Sequence, residues 1–157
     1  MNEQWQKALG EAVGEVFESL CFMMPAPSQG SLSPEPAGVS RLVLAVDFRG
    51  AARGSLQLTL PDSMIASVAS SMLGEDGPLE LSVQYDAACE LANIVCGNVL
   101  PRIAGERAVF DLASPRVIAT RGADFSDVCD ASASVLLDEG LVCASLELKL
   151  EAAGGER

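Results

Sequence analysis

The sequence predicts an α+β domain: a mainly antiparallel sheet with two long helices and one short helix packed on one face. Three observations predict it. Leu42, Leu44, Val46 and Phe48 alternate with other residues, and after a glycine-containing turn Leu56, Leu58 and Leu60 do the same, the pattern of a hairpin burying one face. Segments on either side of this hairpin carry apolar residues at helical spacing instead. A second pair of alternating runs closes the chain around Asp138-Glu139-Gly140. Hairpin connections make the sheet antiparallel, and helices then gather on the face that needs covering. One domain over residues 1–151 is expected, with a frayed tail at 152–157.

The elements follow in order. Residues 3–24 place Trp5, Leu9, Ala12, Val13, Val16, Phe17 and Leu20 on one helical face, with Glu11, Glu15 and Glu18 largely opposite and Pro25 as the stop. Residues 25–38, rich in Pro, Gly and Ser, form a flexible connection to the first hairpin. Pro61-Asp62 then opens a short helix carrying Ile65, Val68, Ala69, Met72 and Leu73, closed by Gly74. After the Gly77-Pro78 break, Ser82 caps a long helix that runs to about Leu100, where Pro101 kinks or ends it and Gly105 closes the segment. Strands follow at Ala108–Leu112 and Arg116–Ala119, divided by a Ser114-Pro115 turn. A polar loop through Asp124, Asp127 and Asp130 leads to the last hairpin, roughly Ala131–Leu137 and Leu141–Leu150. That final strand alternates cleanly. At an edge it could pair with a second copy; as an internal strand it could not.

Composition narrows the function classes. The 157 residues are 49% apolar but only 4% aromatic, so the core is built from Leu, Val, Ala and Met. A net charge of −12 argues against nucleic acid and against an anionic membrane surface, both of which need an excess of Lys and Arg. No apolar run is long enough to span a bilayer, and Met1-Asn2-Glu3-Gln4-Trp5 does not begin a signal peptide, so a cytoplasmic protein is expected. The five cysteines are scattered and lack a CxxC pair, which favours buried thiols in a reducing compartment over disulfides or a metal site. There is no histidine, which excludes Ser-His-Asp and Cys-His machinery and His-based zinc or iron centres. Phosphate-cradling glycine motifs are absent as well.

The chemistry concentrates in the long helix. From Ala87 to Cys96 its strongly polar side chains are Glu90 and Asn93 alone, three residues apart and therefore side by side, with Asp86 one turn earlier on the same face. A narrow stripe of this kind is either the wet face of an amphipathic helix or a small polar site. Asn is a poor helix-interior residue, and its presence asks for a reason.

Asp86, Glu90-Leu-Ala-Asn93 and the following Ile-Val-Cys-Gly97-Asn98 resemble the active-site helix of the CheC/CheX family of chemotaxis phosphatases. That family's pattern is Asp or Ser, three residues, Glu, two residues, Asn, and a proline some twenty-odd residues later. Asp86, Glu90 and Asn93 match in spacing, while Pro115 follows Asn93 with one residue fewer than the family's usual count. The order of elements is similar across most of the chain. The first helix offers Glu15-Val-Phe-Glu18 in the comparable place without an Asn, so one site per chain resembles CheX more than CheC.

The resemblance implies hydrolysis of the aspartyl phosphate of a CheY-like response regulator. Asn93 would orient the attacking water, Glu90 would pair with the regulator's active-site lysine, and Asp86, Gly97 and Pro115 would make peripheral partner contacts. Mg²⁺ would be supplied by the regulator, with no cofactor or metal bound by this chain. A homodimer is implied too. The competing readings are a non-catalytic module of the same fold that binds a regulator or itself, and an independent enzyme using Asp86 and Glu90 as an acid/base pair.

Overall fold

The computed structural model describes residues 2–25, 40–119 and 129–150. The proline-rich connection, most of the Thr120–Asp130 loop and the tail lie outside these described residues. The first helix, α1 (Glu3–Cys21), begins where the Asn2 side chain accepts from the Trp5 N–H at 3.1 Å. It buries Leu9, Ala12, Val13, Val16 and Phe17, as its spacing predicts. It stops short of the expected Met24. Phe22 turns into the left-handed region (φ 57°, ψ 31°) and its N–H closes on the Phe17 carbonyl. That reversal sends Met23 into the core at 0% exposure and leaves Phe22 74% exposed.

Strands β1 (Arg41–Gly50) and β2 (Ala52–Pro61) form the expected hairpin, both longer than the apolar alternation alone marks. Leu42 faces Leu60, Leu44 faces Leu58 and Val46 faces Leu56, all fully buried. A single 3₁₀ turn at Asp62–Met64 feeds α2 (Ile65–Leu73), which ends on Gly74 at φ 66°. The Ser71 hydroxyl donates to the Cys21 carbonyl at 3.2 Å, seating α2 on the end of α1.

The longest element is α3 (Leu81–Ala104). Its N-cap is Glu80, in extended backbone and without a side-chain cap bond, so Ser82 is the second helical residue rather than the cap. Instead the Gln84 amide donates back to the Leu79 carbonyl at 2.9 Å. Pro101 does not end the helix. It withholds a donor from the Gly97 carbonyl, while the helix continues to Ala104 and Gly105 bonds back to the Pro101 carbonyl. Ala88, Ala92 and Cys96, one turn apart and fully buried, let the helix lie close against its neighbours.

The remaining strands are β3 (Phe110–Leu112), β4 (Arg116–Ala119), β5 (Ala131–Leu137) and β6 (Gly140–Leu150). β3 is shorter than expected because its first residues turn: the Ala108 N–H bonds the Gly105 carbonyl at 3.2 Å, and the Val109 carbonyl accepts from Ala51 at 3.1 Å. All pairings are antiparallel, in the order β3–β1–β2–β6–β5, with β4 following β3 along the same outer edge of β1. β6 is therefore internal and cannot be the seam between two copies. The helices cover the face carrying Leu42, Leu44, Leu56, Leu58, Ala144 and Leu146, which gives an α+β architecture. Asp130, at the end of the polar loop, ties the start of α1 to the sheet. Its carboxylate accepts from the Leu148 N–H at 2.7 Å, and its carbonyl accepts from the Asn2 N–H at 3.1 Å.

Candidate functional site

Residues 86, 90, 93 and 97 fall within an arc of about 60° on α3 and span about 16 Å of its axis, at 100° and 1.5 Å per residue. The helix turns Ala87, Ala88, Leu91, Ala92, Val95 and Cys96 into the core, which forces this stripe outward. Asp86, Glu90 and Gly97 are exposed and Asn93 is half-buried. The carboxylates thus stand in water on a largely buried helix, rather than inside a polar pocket. Among the described residues neither Asp86 nor Glu90 has an ion pair.

Asn93 differs from its neighbours. Its Oδ1 has no exposed surface and no hydrogen-bond partner among the described residues. An acceptor left in that state costs about 1–3 kcal/mol relative to a satisfied one. The amide oxygen beside Glu90 is thus covered from solvent and unpaired. Five residues on, Asn98 uses its amide locally, donating to the Ile94 carbonyl at 2.8 Å.

Asp86 and Glu90 also line a groove of about 660 Å³ between the three helices. Its walls are Leu20 and Phe22 at the end of α1, Met72 and Leu73 on α2, and Val83 and Ile94 on α3. Gly97 lies further along the stripe and lines a separate depression with Pro101 and Arg102. Pro115 is not part of either hollow. It sits in the β3–β4 turn on the sheet edge, flanked by Ala113, whose N–H bonds the Asp47 carbonyl at 2.9 Å, and by Arg116, whose guanidinium meets the Asp47 carboxylate at 2.8 Å. The structure thus brings Asp86, Glu90, Asn93 and Gly97 onto one surface and does not bring Pro115 into either hollow with them.

The cysteines offer no nucleophile here. Cys89, beside the stripe, has its pKa raised by burial and then by the Asp86 charge. Burial pushes Cys96 up to about 12, and burial reinforced by Glu139 does the same for Cys21. All three thiols stay protonated at neutral pH. All five cysteines are free. Among the described residues no three His, Cys, Asp or Glu side chains gather as a metal cluster, and no helix is long and apolar enough to cross a membrane.

Sequence reasoning missed the groove, and Phe22 above all. The available signal was the run Phe22-Met23-Met24-Pro25, which continues past the apolar stripe of α1 without fitting it.

An antiparallel sheet backed by three helices, with an exposed carboxylate beside a half-buried carboxamide on the longest, defines an α+β protein whose polar stripe is carried on a single helix. Residues 42–137, more than half of the sequence, match the family described as Chemotaxis phosphatase CheX, and the chain belongs to that family. The CheX crystal structure from Desulfovibrio desulfuricans superposes with a TM-score of 0.70 at 21% identity, covering 92% of this chain and 99% of that one. CheX from Vibrio vulnificus gives 0.69 at 18% identity, covering 95% and 100%. The CheX–CheY–BeF₃–Mg²⁺ complex from Borrelia burgdorferi gives 0.56 at 18% identity, covering 91% and 96%. These likenesses establish the fold. No match is found among curated protein sequences.

Proposed function

We propose that this chain hydrolyses the aspartyl phosphate of a CheY-like response regulator. The observation that carries the reading is the exposed Glu90 beside a half-buried Asn93 on one face of α3, the Asn93 amide oxygen being unpartnered. Membership of the CheX family supports it, and so does the existence of a CheX–CheY complex for the Borrelia relative.

An acyl phosphate is already activated, so the catalyst has to place a water rather than provide a nucleophile. The water oxygen bonds to phosphorus, the bond from phosphorus to the aspartyl oxygen breaks, and the carboxylate leaves. Inorganic phosphate is released and takes up the hydroxyl, the remaining proton passing to solvent. Asn93 orients that water once its amide, whose oxygen is covered in the free chain, turns outward, since a carboxamide both accepts and donates without competing as a nucleophile. Glu90 forms a charge-assisted pair with the regulator's lysine and so aligns the two proteins. Asp86 stands one turn away at the rim, and Gly97 lets the regulator's surface approach α3. Mg²⁺ enters as part of the phosphorylated substrate. The reading sets the chain in the cytoplasm, where five free cysteines stay reduced. It includes a homodimer, which would not form by pairing along β6, because β6 is bonded on both sides.

The test is phosphate release from a Mg²⁺-loaded, acyl-phosphorylated regulator of the same genome, with wild type and with Asn93→Ala. Wild type should accelerate release, and the variant should lose about 100-fold or more while still binding. Its stability should hold or rise, because alanine removes the orphaned acceptor and favours the helix. No acceleration with any CheY-like regulator of that genome would leave a binding module.

A further inference from the structure

We infer that the groove between α1, α2 and α3 receives an apolar side chain of the phosphorylated regulator, flanked on the regulator by a cationic one. This rests on the proposed function and specifies how its partner is held. The apolar walls come from Leu20, Phe22, Leu73, Val83 and Ile94, and the charged groups among the lining residues are Asp86 and Glu90 alone. Both are negative and exposed, and neither has an ion pair among the described residues. A bulky apolar group beside a lysine or arginine matches that surface in shape and in sign. An overall charge of −12 gives no long-range attraction to a partner of net negative charge, and against such a partner local complementarity sets the affinity.

Phe22 is the residue that points to use. It occupies a left-handed helix-ending position, where α2 has Gly74. A bulky side chain is disfavoured in that backbone, and Phe22 recovers nothing from the core, being 74% exposed at the groove rim. Leu73, on the facing element, is 46% exposed. Two large apolar side chains therefore flank the entrance to a groove that opens beside Glu90. Capping these on docking would remove much of a phenyl ring's surface from water, which converts to about a tenfold gain in affinity or more.

The experiment compares wild type, Phe22→Gly and Phe22→Leu by their affinity for a Mg²⁺-loaded regulator carrying beryllofluoride as a phosphoryl mimic, with turnover measured on the phosphorylated form. Phe22→Gly should fold with equal or higher Tm, since glycine suits φ 57°. Its Kd and KM should rise about tenfold or more with kcat little changed. Phe22→Leu keeps the same backbone difficulty and an apolar body, and should recover most of the affinity. Wild-type affinity in Phe22→Gly would overturn the inference while leaving the phosphatase reading intact. Binding without turnover, weakened by Phe22→Gly, would do the reverse. Loss of self-association in Phe22→Gly, seen by sedimentation, would make the groove a face for a second copy and also overturn the inference. Failure of wild type to bind any regulator would overturn both readings.

Discussion

Replacing Gly97 by alanine should make this protein more stable and less active. Gly97 lies in the exposed stripe of α3, and a Cβ built on it meets no atom within 4 Å. Its backbone is helical, so nothing in the fold requires glycine there. Alanine in a helix interior is favoured over glycine by about 1 kcal/mol, which for a domain of this size raises Tm by about 2–4 °C. The open space that makes the substitution harmless to the free chain is the space a docking regulator would occupy on the Glu90–Asn93 stripe. A methyl group intruding on a packed contact costs about 1–3 kcal/mol, equivalent to about 5- to 150-fold in KM or Kd. Thermal denaturation and phosphate release measured on the same preparation check both halves. A higher Tm with unchanged turnover would show that no partner approaches α3 at this turn. A lower Tm would refute the reasoning at its first step, by showing that the helix itself needs Gly97.

In Gly54→Ala the new Cβ would run into the Glu147 backbone carbonyl oxygen and come within 3.0 Å of Phe48 Cζ, so β6 must shift; a loss of about 3 kcal/mol or more is expected in urea unfolding. Cys96, pushed up to about 12 by burial from an ordinary 9.0, binds its proton more tightly folded than unfolded. Its contribution is therefore complete below pH 9 and is lost as pH rises from about 9 towards 12, with a limiting slope of about 1.4 kcal/mol per pH unit. Denaturation of wild type and Cys96→Ala between pH 8 and 11 should show the shallower decline in the variant, and equal slopes would refute the assignment.

The two hairpins were legible because a period of two leaves one assignment: Leu42, Leu44 and Val46 must share a face, and Leu56, Leu58 and Leu60 must meet them. The Glu90–Asn93 stripe was legible for the same reason, since helical spacing alone makes the two side chains neighbours. Strand order was not. Whether β6 lies at an edge or inside depends on pairings with β2 and β5 that no local pattern encodes. The end of α1 was misplaced because the stop is a left-handed phenylalanine, a conformation that residue type argues against, rather than Pro25. The N-cap of α3 was misplaced because Glu80 offers no side-chain cap, and serine was the better chemical candidate nearby. The groove was invisible because its walls are distributed over three helices and meet only in three dimensions. Pro115 rests on resemblance rather than on chemistry, and the fold places it in the β3–β4 turn.

On the proposed function, the two long helices also account for a single site per chain. α1 and α3 lie antiparallel, with Arg102 near the end of α3 reaching Glu15 at 2.7 Å and Glu11 at 3.5 Å. As exposed ion pairs these add little stability, about 0–1 kcal/mol. Their consequence is occupancy: Glu15, the α1 carboxylate in the place comparable to Glu90, already meets a guanidinium. Three residues on, where α3 has Asn93, α1 has Glu18, which can accept from a water but not donate to it when ionised. α1 thus lacks both a free carboxylate at the first position and an amide at the second. On the proposed reading α3 alone can align a lysine and a water, so each chain engages one regulator at a time.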